Sequence, residues 1–221
     1  MAIDVYQVDA FTHRVFGGNP AAVCPLDNWL PDATLQALAA EHNLSETAYL
    51  KRTAPGVYHL RWFTPTTEVE LCGHATLASA LVIFEHLEAW LNEVSFETRS
   101  GRLVVRREAD RLSMDFPAYP AEVCDVPPHL VDGLGATPQQ VLSAFDLVAV
   151  FASEEEVRAL APDMRRLTQV PSRGVIVTAP GKDVDFVSRF FAPQSGIDED
   201  PVTGSAHAIL TPYWSARLGK T

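Results

Sequence analysis

The strongest constraint on how this 221-residue chain folds is that its second half repeats its first. Thr53-Ala54-Pro55-Gly56 recurs as Thr178-Ala179-Pro180-Gly181, 125 residues further on. Arg61-Trp62-Phe63-Thr64-Pro65 recurs as Arg189-Phe190-Phe191-Ala192-Pro193 at 128, and Cys72-Gly73-His74-Ala75 aligns with Thr203-Gly204-Ser205-Ala206 at 131. Three matches in one order, at offsets that grow in small steps, are what loop insertions between two copies of one unit produce. The expected organisation is a duplicated lobe of strands and a buried helix, residues 1–118 and then 119–221. In the first copy the helix is followed by strands from Val94 to Pro117, whose counterparts would fall beyond Thr221. The second lobe is therefore expected to be incomplete at its C-terminus.

Local patterns fill in each copy. Residues 3–9 alternate, Phe16-Gly17-Gly18-Asn19-Pro20 is turn chemistry, and Ala21-Ala22-Val23 opens a second strand. Pro31-Asp32 starts a helix that runs to Asn43. Strands are expected over Thr47 to Lys51, Tyr58 to Phe63, Val94 to Glu97, Leu103 to Arg107 and Leu112 to Phe116, with Ser100-Gly101 as a hairpin turn. Ala75 to Phe84 is apolar nearly all round, the mark of a helix buried on every side. Pro117, Pro120, Pro127 and Pro128 punctuate the join between lobes. The second half reads as a strand over Val141 to Phe151, a helix over Glu154 to Leu160, a strand over Gly174 to Val177 and a second buried helix over Ser205 to Leu218, interrupted by Pro212.

Composition excludes several functions. A net charge of -11 argues against nonspecific binding to nucleic acid or to an anionic membrane, both of which need a basic surface. No window approaches the roughly 20 apolar residues of a membrane span. The N-terminus lacks the basic and long apolar regions of a secretory signal, so the cytoplasm is the expected compartment. Cys24, Cys72 and Cys124 are odd in number and far apart, which gives neither a disulfide framework nor metal-ligand spacing.

The chemistry gathers at the repeated helix starts. Gly73 and Gly204 each fall where a helix begins, and the first N–H groups of a helix have no partner within it. Such ends favour a small anion, and glycine permits its close approach. Each glycine is followed by a polar residue, His74 and Ser205. Glu46 enters an otherwise apolar strand. Asp198-Glu199-Asp200 has the composition of a solvated turn, but the Pro201-Val202-Thr203-Gly204-Ser205 that follows argues that at least one of the three acids is aimed inward. His207, one turn into the helix, reads as a supporting residue.

These segments resemble the phenazine-biosynthesis PhzF-like family, whose fold is that of diaminopimelate epimerase. The resemblance runs through Val8-Asp9-Ala10-Phe11-Thr12, Phe16 to Val23, Asn43-Leu44-Ser45-Glu46-Thr47, Arg61 to Pro65, Leu71 to Thr76 and Asp198 to His207. It implies an α+β fold of two pseudo-symmetric lobes, each a mixed sheet or barrel wrapped around a central helix, with the site between them, and a homodimer. It implies a cofactor-independent isomerase of a small carboxylate-bearing metabolite. Glu46 matches the general acid/base that takes a proton from one carbon and returns one to another. His74, Asp200 and Ser205 match positions that grip the substrate and assist the proton. Gly73, Gly204 and Thr203 would bind substrate, and no metal is implied. An enclosed apolar site raises a carboxylate's pKa toward neutrality, which is what such a base needs. Related epimerases use two cysteine bases, but here the partner of Cys72 is Thr203, a poor base. A single-carbon epimerase or racemase and a noncatalytic metabolite binder are the competing expectations.

Overall fold

The computed structural model describes residues 2–220. The chain divides into two compact units, Met1–Phe116 and Pro117–Thr221. The first contains β1 (Tyr6–Ala10), β2 (Asn19–Pro25), α1 (Asp32–His42), β3 (Glu46–Ala54), β4 (Val57–Phe63), β5 (Glu68–Val69), α2 (Gly73–Val82), β6 (Glu93–Thr98), β7 (Gly101–Glu108) and β8 (Arg111–Met114). The second contains β9 (Glu122–Val123), α3 (Leu130–Leu134), β10 (Gln140–Ser143), β11 (Leu147–Val150), α4 (Glu154–Ala159), α5 (Met164–Leu167), β12 (Val175–Pro180), β13 (Phe186–Ala192), β14 (Ile197–Asp200) and α6 (Gly204–Leu218).

The strand order in the first unit is β1-β2-β3-β4-β6-β7-β8, with β5 on β4. Helix α2 touches β1 at one end of this order and β8 at the other, so the sheet curls around it. Eight of its ten residues are buried, as its all-round apolar sequence requires. Strand β3 alternates between two cores. Ala48 and Leu50 pack with Leu60, Trp62, Ala78 and Phe84 on the α2 side, while Tyr49 packs with Leu35 and Phe63 on the α1 side. The Tyr49 hydroxyl donates to the Leu35 carbonyl at 2.8 Å, which ties α1 down. Helix α1 ends at Asn43 in the left-handed conformation, its N–H returning to the Ala39 carbonyl. Gly18 is required by the turn before β2: its φ is +63° and a Cβ there would stand 2.0 Å from the Ala10 carbonyl oxygen.

The second unit repeats this wiring. β1/β2 and β10/β11 are antiparallel, β2/β3 and β11/β12 parallel, β3/β4 and β12/β13 antiparallel, and β5 and β14 each add antiparallel to the last strand. Even the register matches. Thr47, Ala48 and Tyr49 face Phe63, Trp62 and Arg61, as Val175, Ile176 and Val177 face Phe191, Phe190 and Arg189. One face of this sheet packs α6 through Ile176, Phe190, Ile209, Leu210 and Trp214; the other packs α3, α4 and α5 through Val177, Phe191, Leu134, Val157 and Leu167. Ser153 caps α4 by accepting from the Glu156 N–H, and Glu156 reaches back to the Ala152 N–H. Pro212 inside α6 cannot donate to the Ala208 carbonyl, which instead accepts from the Tyr119 N–H at 2.9 Å.

Three expectations need correction. The apolar run from Val141 to Phe151 is two strands, because the chain reverses at Ala144–Asp146; apolarity alone does not distinguish one long strand from a buried hairpin. The acidic run Asp198–Asp200 is strand β14, whose last residue, Asp200, is held in register opposite Phe190. The buried helix of the first unit stops being α-helical at Val82 and widens into a π-helical turn over Ile83–Leu87, closed by Glu88 N–H to the Ile83 carbonyl at 2.7 Å.

Candidate functional site

In the first unit four elements bring polar side chains to one buried place. Glu46 is the first residue of β3, His74 the second residue of α2, Cys72 the residue that precedes α2, and Asn19 the first residue of β2. All four are buried, Asn19 completely. His74 Nε2 lies 3.6 Å from Glu46 Oε2. On the far side of the ring, His74 Nδ1 is 3.4 Å from the Asn19 amide nitrogen and 3.5 Å from Cys72 Sγ. An amide N–H₂ and a thiol are both donors, so with the Asn19 amide in this orientation Nδ1 accepts and the ring proton sits on Nε2, facing Glu46. The imidazole edge thus faces the carboxylate at ion-pair distance, slightly beyond a direct hydrogen bond. The Glu46, Cys72 and His74 ligand atoms also lie within 4.8 Å of one another, a set that a thiophilic divalent ion would fit.

Helices α2 and α6 both begin at the repeated glycine, Gly73 and Gly204, after an extended residue (Cys72 and Thr203) that makes no side-chain cap. In the second unit Asp200 is buried at the end of β14, while Asp198 and Glu199 are exposed. The Thr203 hydroxyl donates to Asp200 Oδ2. Glu199 is engaged outward, by Arg189 at 2.7 and 2.9 Å. Ser205, the second residue of α6, is buried and accepts from Arg173 Nη2 at 3.3 Å. His207 is exposed and donates through Nδ1 to the Thr203 carbonyl at 2.9 Å, a supporting role.

Glu46, Gly73 and His74 therefore share the first unit, and Asp200, Thr203, Gly204 and Ser205 the second. Sequence reading missed Asn19, which it took as turn chemistry, and Arg173 with its partner Asp146. The burial of Asn19 follows from its place at the start of β2, beside α2; the Asp146–Arg173 pair is separated by 27 residues and leaves no local signal.

Two mixed sheets of matching topology, one curled around its glycine-started helix and the other packed on its own, define an α+β protein of the diaminopimelate epimerase-like class. A family model described as phenazine biosynthesis-like protein, PhzC-PhzF, matches residues 8–221. The chain belongs to this family. An uncharacterised isomerase of Pseudomonas aeruginosa is 54% identical over 221 residues, covering 100% of this chain and 85% of that protein. The crystal structure of a PhzF-family phenazine biosynthesis protein from Enterococcus faecalis superposes with a TM-score of 0.90 at 45% identity, over 100% of this chain and 85% of that one. A predicted epimerase from Pseudomonas aeruginosa, 22% identical, shares the fold with a TM-score of 0.74 over 100% of this chain and 83% of its own.

Proposed function

We propose that the protein is an isomerase of a small carboxylate-bearing molecule that moves a proton between two carbons without an organic cofactor. The observation that carries this reading is the buried Glu46–His74 pair, 3.6 Å apart at the mouth of a helix. Glu46 takes the proton from carbon and returns it elsewhere on the same substrate. His74, held by Asn19 and Cys72 with its Nε2 proton toward Glu46, steadies the carboxylate and helps pass the proton. In the second unit Asp200, Thr203 and Ser205 are suited to grip a small acid, and in each unit the backbone N–H groups at the glycine-started helix, Gly73 or Gly204, suit an anion such as the one that forms when carbon is deprotonated. Isomerase-named relatives support the reaction class. A two-cysteine racemase is disfavoured, because the residue before α6 that corresponds to Cys72 is Thr203. The net charge of -11 supports a small-molecule partner in preference to nucleic acid or a membrane surface. A cytoplasmic homodimer completes the proposal.

The test is deuterium incorporation into a panel of small unsaturated and hydroxy acids in D₂O, read by mass spectrometry. General acid/base removal typically costs 10²–10⁴-fold, so Glu46→Gln should slow exchange by about that factor. Dialysis against a chelator should leave exchange unchanged. Full exchange by Glu46→Gln, or its loss on chelation, would overturn the reading.

A further inference from the structure

The matched registers of the two units make their helix starts comparable position by position. Thr47–Phe63 corresponds to Val175–Phe191, so the residue before each pairing, Glu46 in one unit, is Gly174 in the other. His74 and Ser205 correspond as second residues of α2 and α6. Where the first unit sets a carboxylate 3.6 Å from its helix residue, the second has no side chain at the equivalent position, and the neighbouring Arg173 reaches Ser205 instead, at 3.3 Å. The duplicated place has changed sign.

Arg173 is held in a way that a surface arginine is not. Its Nε and Nη2 grip both oxygens of Asp146 at 2.9 and 2.5 Å, and the Asp146 side chain has no exposed surface. Its guanidinium carbon lies 5.3 Å from the Phe145 ring centre and 5.5 Å from that of Phe190. The Arg173 side chain is itself 40% exposed. Of its N–H groups, Nε–H and those on Nη2 serve Asp146 and Ser205; among the described residues Nη1 has no protein partner. Burying a carboxylate completely is costly, and here it fixes the plane of a guanidinium that keeps one edge open beside a buried serine. A tie between β11 and β12 alone does not need it, because their starts are already joined by the Leu147 N–H to the Gly174 carbonyl at 3.1 Å.

We infer that Arg173 is a substrate-binding residue: its open Nη1 edge, with the Ser205 hydroxyl, takes the carboxylate of the small acid. Asp146 is the positioning residue that aims it. This rests on the isomerase reading above and adds the group that selects an acid over its neutral analogue.

The experiment measures affinity for benzoate and for benzamide, its uncharged isostere, from the backbone amide resonances of Gly204 and Ser205 in the full chain. Charge-assisted hydrogen bonds predict a preference for benzoate of roughly 10- to 100-fold in the unaltered protein. Arg173→Met should bring that ratio to about one or below, because it removes the cation and leaves the Asp146 carboxylate without its partner, while benzamide affinity stays within about twofold. A residue that merely braced the fold would weaken both ligands alike. If Arg173→Met does not fold, Arg173→Lys must retain part of the preference, and Asp146→Asn, which frees the guanidinium, must reduce it. An unaltered protein without the preference, or an Arg173→Met variant that keeps it, overturns the inference. The two readings fail separately: deuterium exchange retained by Glu46→Gln overturns proton transfer by that residue, whereas a benzoate preference retained by Arg173→Met overturns this inference alone.

Discussion

Replacing Glu88 tests how the first unit is tied together, because its carboxylate is one of the few charged groups buried there. The side chain is 3% exposed and accepts from Arg52 Nη2 at 2.6 Å, the Tyr58 hydroxyl at 2.9 Å and the Gly56 N–H at 3.1 Å. Burial is the largest influence on its ionisation and opposes it, but the bonds from Gly56, Tyr58 and Arg52 together outweigh it and hold the carboxyl below its usual range. Burial, reinforced by the same contact, pushes the Tyr58 phenol up. Glu88→Ala leaves the Tyr58 hydroxyl and the Gly56 N–H without their acceptor, at about 1–3 kcal/mol for a buried donor and less for the part-exposed amide. Arg52, 51% exposed, rehydrates and adds little. The expected loss is about 2–4 kcal/mol at neutral pH. A chain of this size loses roughly 2–4 °C in Tm per kcal/mol, so the transition should fall by roughly 4–16 °C. The folded-state pKa lies below the unfolded value of 4.5, so this stabilisation is fully present above that pH and disappears as pH falls through the folded-state value. Urea titrations followed by circular dichroism, repeated from neutral pH to about pH 3, should therefore show the gap between Glu88→Ala and the unaltered chain closing in acid. A deficit below about 1 kcal/mol at neutral pH, or a gap of constant size across the series, would refute the assignment of three bonds to the ionised carboxylate.

Burial pushes the Cys24 thiol up to about 12, and Cys72 is also buried, whereas Cys124 is only part-buried. A thiol-reactive disulfide reagent should label Cys124 alone in the native protein, though slowly, since burial and then Asp125 raise that thiol too; prompt labelling of a Cys124→Ser variant before denaturant is added would contradict this. Gly174→Ala should lower the urea midpoint by the equivalent of about 1–3 kcal/mol. Its Cβ would stand 2.3 and 2.5 Å from atoms of the buried Phe190 ring and 3.3 Å from Asp146 Oδ1, and a midpoint equal to that of the unaltered chain would show that the ring moves freely.

How far the chain could be read in advance depended on how local each signal was. The Pro-Gly turns and the Arg-aromatic strands sit in segments of a few residues, and their recurrence carried the duplicated topology down to the register of β3/β4 and β12/β13. Glu46 stood out because an acid rarely enters an apolar strand, and the structure finds it buried at the first residue of β3. Asn19 did not stand out, since asparagine beside glycine and proline is ordinary turn chemistry; only the packing of β2 against α2 turns its amide onto His74. The reversal at Ala144–Asp146 was hidden because Ala144-Phe145 carries no glycine or proline and the strands on either side are apolar. The turn's acid, Asp146, declares itself only through Arg173, far along the chain. The π turn was equally invisible, as Ile83 and Phe84 continue the apolar run of the helix and Glu85-His86-Leu87 carries no signal of a wider turn.

That π turn has a consequence for how α2 tolerates change. A regular helix advances each residue by about 100°, so the direction of residue 88 would be dictated by that of residue 74 and the count between them. The wide turn over Ile83–Leu87 breaks this phase relation. One end of the rod can then be set by what His74 must face, while the other delivers Glu88 to Tyr58 and Gly56. A π turn holds one residue more than the α turn it replaces, so regular helix at the same length would swing the anchor carboxylate about a quarter-turn away from its donors, whereas deleting one residue from the turn would restore regular helix with that direction nearly kept. Length and geometry are therefore coupled in this segment: a one-residue deletion within the turn should leave the carboxylate facing Tyr58 and Gly56, while a change that forces regular helix without shortening the chain would uncouple the helix from its own sheet.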